Sequence, residues 1–118
     1  MKIYITGIAG FLGSNLAKHL LKLGHVVGGN DNLIGGEKVN LPKDLYRFDL
    51  TDCINYDEIV SNLNDVDIVY HCAATAHEGL SVFSPNFITK NIYQASVSVI
   101  TASISNNVKR FVYCSSMA

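Results

Sequence analysis

The apolar positions of this chain fall into short continuous runs separated by longer segments with helical spacing. Five runs rich in β-branched and aromatic residues predict strands at residues 2–6, 25–30, 45–48, 67–72 and 109–114. Apolar residues three or four positions apart predict helices at residues 11–23, 54–63 and 85–107. The segment 33–44 contains two adjacent glycines and a proline, which is typical of an irregular loop.

This order of elements indicates an α/β fold with a parallel sheet. Right-handed crossovers give the strand order 3-2-1-4-5, and a ligand is expected where the order reverses, between strands one and four. The second crossover is predicted as a loop in place of a helix. The first helix is expected to end at Gly24. Its spacing places four leucines on the buried face: Leu12, Leu16, Leu20 and Leu23.

Three glycines join the first strand to the first helix. Gly7 permits a sharp exit from the strand, Gly10 lets a pyrophosphate approach the backbone, and Gly13 lets the helix pack closely. Alone, such a spacing is also compatible with an ordinary tight turn. Asp31 follows the second strand, where a carboxylate can accept hydrogen bonds from the ribose hydroxyls of NAD. No Lys or Arg occurs in residues 25–36, so NAD is favoured over NADP.

The segments Thr6-Gly7-x-x-Gly10-Phe11-Leu12-Gly13 and Asp31-Asn32-Leu33 resemble the extended short-chain dehydrogenase/reductase family. Within it, the similarity is to NAD-dependent nucleotide-sugar epimerases and dehydratases of the UDP-glucose 4-epimerase type. The resemblance implies a Rossmann-like domain with NAD as cofactor. It implies cofactor contacts from Gly7, Gly10, Phe11, Leu12, Gly13, Asp31, Asn32, Asp49, Leu50, Cys72, Ala73, Ala74 and Asn91.

The later contacts in this set have distinct implied roles. Asp49 and Leu50 would lie against the adenine, where a carboxylate can accept from the N6 amine. Asp52 is instead expected to cap the second helix. The segment 72–74 would pass under the nicotinamide ribose, and Asn91 matches a helical asparagine of the family.

The family's catalytic chemistry is only partly represented. Ser116 matches a Ser or Thr that binds the reacting sugar hydroxyl, but no tyrosine here has a lysine four positions later. Residues 1–118 are therefore interpreted as a partial NAD-binding domain, truncated after strand five, without the substrate-binding C-terminal part and without turnover on its own. The nucleotide-sugar substrate belongs to the complete enzyme.

Two other interpretations remain open. The chain could be a short natural protein that binds NAD(H) as a sensor or partner subunit. It could also be a methyltransferase-like nucleotide binder, although Thr6 and Gly13 fit a dinucleotide turn better. His71 is interpreted as a packed histidine at a strand end. For His77 and Glu78, a substrate-facing loop and a solvated loop are equally favoured.

Composition narrows the possible partners. The chain is 48% hydrophobic with a formal net charge of −1, which argues against disorder and against a basic nucleic-acid-binding surface. No apolar run is long enough to span a membrane and no signal peptide precedes the first strand, so a cytoplasmic protein is expected. Neither a metal site nor a disulfide framework is suggested by Cys53, Cys72 and Cys114. Cys72 and Cys114 are interpreted as small buried hydrophobic residues.

The long third helix carries two apolar stripes. One should pack on the sheet and consists of Ile88, Ile92, Ala95, Val99 and Ala102. The other lies on nearly the opposite side and consists of Tyr93, Val97, Ile100 and Ile104. A homodimer through helix 85–107 would cover the second stripe, as in the enzymes that the chain resembles. The open sheet edge at strand five offers a competing, non-native association.

Overall fold

The computed structural model describes residues 1–75 and 80–115. Its five strands are β1 (Lys2–Thr6), β2 (Val26–Asp31), β3 (Phe48–Leu50), β4 (Ile68–His71) and β5 (Arg110–Tyr113). All neighbouring strands are parallel, and their order is β3-β2-β1-β4-β5. The predicted α/β class and strand order are therefore confirmed.

The helices are α1 (Phe11–Lys22), α2 (Tyr56–Asn62), α3 (Leu80–Phe83), α4 (Pro85–Ile88) and α5 (Ala95–Ser105). A 3₁₀ helix lies at Lys38–Asn40 in the predicted loop, and a π-helical segment at Thr89–Gln94 joins α4 to α5. The predicted long helix is thus present, but with a widened turn in its middle. No helix in the two described ranges is long and apolar enough to cross a membrane.

Strand β1 divides the core between the two faces of the sheet. Ile3 and Ile5 pack with Ala17 and Leu20 of α1 on one face. Tyr4 points to the other face, where α2 and α5 pack. This alternation follows from the two-residue period of a strand, and it buries β1 completely from Tyr4 onward.

Helix α1 buries only part of the predicted leucine face: Leu20 is buried and Leu16 packs against the same cluster, but the leucines at the two ends do not. Leu12 and Leu23 are 53% and 61% exposed, whereas Gly13 and Ala17 face the sheet. The first turn opens toward the carboxyl edge of the sheet, and Leu23 lies beyond the last helical residue. Gly24 ends the helix as expected: its φ is +88°, and its N–H donates to Leu21 O at 3.0 Å.

The two glycines of β2 accommodate neighbouring protein atoms. A Cβ at Gly28 would lie 2.7 Å from the Tyr46 ring, and one at Gly29 would lie 2.1 Å from Ile5 O. Close packing within the domain therefore explains two glycines in a strand, where Val and Ile are the usual residues.

The prediction that Asp52 caps α2 is wrong. The cap is Asn55, whose side chain accepts from Glu58 N–H at 3.4 Å, whereas Asp52 lies three residues earlier in a turn. The helix begins at Tyr56, later than the periodic apolar pattern indicates, because Cys53 and Ile54 pack with the core from the preceding turn.

Candidate functional site

The carboxyl ends of β1, β2 and β4 open into a cleft of about 450 Å³. Of the thirteen residues expected to contact the cofactor, eleven line it: Gly7, Gly10, Phe11, Leu12, Gly13, Asp31, Asn32, Cys72, Ala73, Ala74 and Asn91. The cleft lies at the reversal of strand order between β1 and β4, as predicted. Asp49 and Leu50 are not among its lining residues. Ser116, His77 and Glu78 lie outside the described residues.

The glycine turn is close-packed against both of its neighbours. Gly7 has a φ of +70°, and a Cβ there would lie 2.8 Å from the backbone of Ala73. A Cβ at Gly13 would lie 2.3 Å from Gly7 O, so α1 rests directly on the turn. At Gly10 the nearest atom to an added Cβ is Gly7 O at 3.3 Å. Gly10 thus leaves backbone accessible from the cleft.

The N-terminus of α1 is suited to an anion. Across residues 1–75 and 80–115, no carbonyl oxygen accepts from the backbone N–H of Phe11, Leu12 or Gly13. The N-cap is Gly10, which offers no side chain, and no acidic residue lies in the first turn. Free N–H groups and the positive end of the helix dipole therefore face the cleft together, as a pyrophosphate requires.

Asp31 is held in a fixed orientation at the end of β2. Its Oδ2 accepts from Ala9 N–H at 2.9 Å and its Oδ1 accepts from Leu33 N–H at 2.8 Å. Each oxygen retains a further lone pair for a ribose hydroxyl. Gly36 passes so close that a Cβ there would lie 2.9 Å from Asp31 Oδ2. The following loop thus covers the carboxylate, which leaves Asp31 7% exposed.

Asp49 binds other protein groups instead of facing the cleft. It accepts from Tyr4 Oη at 2.8 Å and forms a salt bridge with Arg47 at 2.7 Å. Burial and the charge of Asp49 raise the pKa of Tyr4 far above its ordinary value. Because side chains alternate along β3, Asp49 projects to the face that holds Tyr4. Leu50 is 63% exposed. At this end of the cleft the structure instead places Thr51 and Asp52.

His71 lies below the cleft in a chain of hydrogen bonds. Ala73 N–H donates to Thr6 Oγ1 at 3.2 Å, and Thr6 Oγ1 lies 2.7 Å from His71 Nδ1. His71 Nε2 lies 3.0 Å from Ser96 Oγ, which itself donates to Ile92 O. The Ser96 hydroxyl hydrogen is used there, so Nε2 carries the imidazole proton and Nδ1 accepts from Thr6.

The histidine is packed as well as hydrogen-bonded. Its ring stacks against Phe111 and Tyr113 at centroid distances of 6.0 and 5.8 Å, and it is 2% exposed. Burial lowers its pKa from 6.5 to about 4, so it is neutral near pH 7. The prediction of a packed strand-end histidine is confirmed.

Sequence reasoning missed several residues of the cleft. Asn30 is buried on β2, and its Nδ2 donates to Thr51 O at 3.1 Å. Its Oδ1 has no hydrogen-bond partner among the described residues. A polar residue immediately before Asp31 in a buried strand is a usable signal. Gly36 could not be found in this way, because its role depends on where the loop returns.

The expected burial of both cysteines at the sheet end is wrong for Cys114. Cys114 is exposed and Cys72 half-buried, since Cys114 follows the edge strand β5. Their Sγ atoms lie 3.5 Å apart.

The fold and cleft together define a Rossmann-like dinucleotide-binding protein. The model of the NAD dependent epimerase/dehydratase family matches residues 3–118, and the chain belongs to that family. NAD, the cofactor expected from the sequence, is thus confirmed at the level of the family. The lining groups fit it, since the free N–H groups of α1 and the Asp31 carboxylate match a pyrophosphate and a ribose.

Individual relatives agree with this assignment. Protein CapI of Staphylococcus aureus is 34% identical over 127 residues, covering 98% of this chain and 38% of CapI. The crystal structure of UDP-glucose 4-epimerase with UDP-glucose from Thermotoga maritima has a TM-score of 0.91 at 30% identity, covering 96% of this chain and 37% of that one. The crystal structure of UDP-glucose 4-epimerase of Thermus thermophilus in complex with NAD has a TM-score of 0.88 at 27% identity. The match covers 94% of this chain and 36% of that one. The chain thus spans less than two-fifths of each protein's length.

Proposed function

We propose that this chain is the NAD(H)-binding portion of a nucleotide-sugar epimerase or dehydratase. The observation that carries the proposal is the convergence of the glycine turn, the free N-terminus of α1 and Asp31 in one cleft. The pyrophosphate would bind the N–H groups of residues 11–13, and Asp31 with Asn32 would bind the adenosine ribose. The segment 72–74 and Asn91 would line the nicotinamide side. The sensor interpretation gains no support from the relatives described above.

The electrostatics of the cleft favour NAD over NADP. Its described lining contains the carboxylates Asp31 and Asp52 and no Lys or Arg. A 2′-phosphate beside Asp31 would therefore meet a fixed negative charge without a compensating cation.

We place the adenine differently from the expectation based on resemblance. An adenine that bonded to the Asp49 carboxylate would compete with the bonds that this carboxylate already makes to Tyr4 and Arg47. Thr51 and Asp52 line the cleft at the end of β3, and they offer polar groups at that position. We therefore assign the adenine contact to these two residues and a strand-orienting role to Asp49.

The catalytic assignment rests on resemblance. Ser116 would bind the reacting hydroxyl of the nucleotide sugar, and NAD, when bound, would supply the hydride acceptor. The proton of that hydroxyl requires a base within hydrogen-bond reach, and no Tyr-x-x-x-Lys segment occurs in residues 1–118. The complete enzyme would supply that base and the rest of the sugar site. Its cytoplasmic location is part of this proposal and is consistent with the free thiols of Cys53, Cys72 and Cys114.

We also propose a homodimer through the exposed stripe of α5 and the preceding π-helical segment. Four apolar residues form this stripe, and all remain exposed: Tyr93 (70%), Val97 (45%), Ile100 (42%) and Ile104 (72%). Helix α2 packs beside α5, and Asn106 Nδ2 bonds to Val60 O at 3.0 Å, but the stripe stays uncovered. A second copy would supply an identical apolar patch, so a two-fold contact covers both.

Calorimetric titration with NAD, NADP and ADP-ribose tests cofactor binding. Gly10→Val should abolish binding by placing a side chain where the pyrophosphate would approach. Circular dichroism must show this variant to be folded, because a Cβ at Gly10 would lie 3.3 Å from Gly7 O. Asp31→Asn should weaken NAD binding by about 1–3 kcal/mol and reduce the preference over NADP. Asp44→Asn, an exposed carboxylate outside the cleft, is the matched control. A folded wild type that binds neither NAD nor ADP-ribose would refute the proposal.

A further inference from the structure

Two thiols meet where strands β4 and β5 end. His71 pairs with Tyr113 in the last register position of the two strands, and Cys72 and Cys114 are the next residues. The Cys72 Sγ and Cys114 Sγ atoms lie 3.5 Å apart. Cys114 is exposed, and Cys72 forms part of the cleft wall.

We propose that Cys72 and Cys114 form a redox-active dithiol that a low-molecular-weight disulfide converts to an intrachain disulfide. The two Sγ atoms are already in contact, and both side chains leave the same side of adjacent parallel strands. Paired strands lie about 4.8 Å apart. That spacing falls within the range of about 4.4–6.8 Å over which Cα atoms of disulfide-linked cysteines are found.

The structure around Cys114 allows its Sγ atom to move to bonding distance from Cys72 Sγ. Cys114 lies beyond the last residue of β5, which is the edge strand of the described sheet. Cys114 N–H bonds to His71 O at 3.3 Å, and this bond keeps the two strand ends together. Closing the disulfide therefore requires a movement of Cys114, on the exposed side, and leaves the packed Cys72 backbone in place.

The exchange proceeds in two balanced steps. The Cys114 thiol loses its proton to water, and its thiolate attacks one sulfur of glutathione disulfide. The S–S bond of the reagent breaks, and one glutathione thiolate leaves and takes a proton from water. The Cys72 thiol then loses its proton to water and its thiolate attacks Cys114 Sγ, so the mixed disulfide bond breaks and the second glutathione thiolate leaves and takes a proton from water. The protein loses two electrons and two protons, and the reagent is reduced to two thiols.

The two cysteines have different roles in the two exchange steps. Burial raises the pKa of the Cys72 thiol to about 12, and the neighbouring Cys114 thiol contributes to that rise. The exposed Cys114 is thus the first to react. Once Cys114 is in a mixed disulfide it has no thiol, so it no longer raises the pKa of Cys72. This change favours the second step.

Cys53 is the natural control within the chain. It is 6% exposed, its Sγ accepts from Asn30 Nδ2 at 3.4 Å, and burial raises its pKa to about 11. It contacts neither of the other thiols in the described structure. Cys53 should stay reduced while the other two react.

The experiment treats the 118-residue chain with excess glutathione disulfide and then alkylates the free thiols in denaturant. Before alkylation, the intact masses of wild type and Cys53→Ser should each fall by about 2 Da. After alkylation, wild type should carry one alkyl group, on Cys53, and Cys53→Ser none. Trypsin should release peptide 48–90 joined to peptide 111–118 from both proteins. In Cys72→Ser that joined peptide should be lost, and glutathione should remain attached to Cys114. Cys114→Ser should also give no joined peptide.

The proposal makes no use of cofactor binding, so its outcome is independent of the proposed function. It is overturned if wild type keeps the glutathione adduct without a joined peptide, or does not react. It is equally overturned if the joined peptide persists in Cys72→Ser, or if the linkage joins two chains on a non-reducing gel.

Discussion

Acidification should destabilise this domain through His71. The ring is 2% exposed, both of its nitrogens already have hydroxyl partners, and no described acidic group contacts it. Protonation would place a second donor at Nδ1, facing a Thr6 hydroxyl that already accepts from Ala73 N–H. The hydrogen bond from Thr6 would have to reverse, inside a site that does not solvate the charge.

The size of the effect follows from the pKa of His71. The unfolded chain takes up this proton near pH 6.5, whereas the folded chain takes it up only near pH 4. Between these values the unfolded state binds more protons, so the free energy of unfolding falls as the pH falls. The free energy of unfolding falls by up to about 1.4 kcal/mol for each pH unit in this interval. The total loss relative to neutral pH is then about 2 kcal/mol at pH 5 and about 3 kcal/mol at pH 4. Above about pH 7 the contribution is fully retained.

Urea denaturation at about pH 7.5 and pH 5 measures this loss. The comparison is with His71→Gln, which keeps a hydrogen-bonding side chain but cannot titrate, so effects of the carboxylates cancel between the two proteins. His19→Gln, an exposed histidine on α1, should behave as wild type. A domain stability of about 5–15 kcal/mol makes a difference of about 2 kcal/mol measurable. If wild type loses no more stability than His71→Gln over this interval, the buried neutral histidine is not the cause.

Two further predictions concern α1 and α5. Gly13→Ala should lower the free energy of unfolding by about 1–3 kcal/mol or more, because its Cβ would lie 2.3 Å from Gly7 O. The control Gly35→Ala has nothing within 4 Å of its Cβ and should change the free energy of unfolding by less than about 0.5 kcal/mol. Equal thermal denaturation midpoints for the two variants would contradict this prediction. For the dimer, light scattering should show the wild type at twice the monomer mass and Val97→Glu/Ile104→Glu as a monomer. A monomeric wild type, or a dimeric double variant, would exclude this interface.

The sequence is most informative where backbone geometry alone determines a residue. Gly7 needs a positive φ, Gly13 must have no Cβ, and Asp31 ends a buried strand. These requirements are local to a strand–turn–helix unit, so the motif can be recognised before the topology is known. The alternating order of strands and helices then predicts the parallel sheet, because crossovers between parallel strands have one preferred hand.

The errors arise where a side chain has two possible directions. The predicted third strand, residues 45–48, shares only Phe48 with β3, and the register of β3 is needed to decide whether Asp49 faces the cleft or Tyr4. A shift of one residue reverses that choice. The exposure of Cys114 likewise depends on β5 being the edge strand of the described sheet. Apolar neighbours in the sequence cannot reveal this, because edge and central strands have similar composition.

Thr6 connects the end of β1 to the end of β4 through several hydrogen bonds. Its backbone oxygen accepts from Cys72 N–H at 3.2 Å, and its hydroxyl accepts from Ala73 N–H while donating to His71. Gly7, the next residue, packs on Ala73 with no space for a Cβ. A valine at position 6 would keep the strand shape but remove the hydroxyl partner of the buried His71 Nδ1 and of the part-buried Ala73 N–H. The hydroxyl therefore couples the glycine turn on β1 to the end of β4, the two walls between which the dinucleotide is proposed to bind.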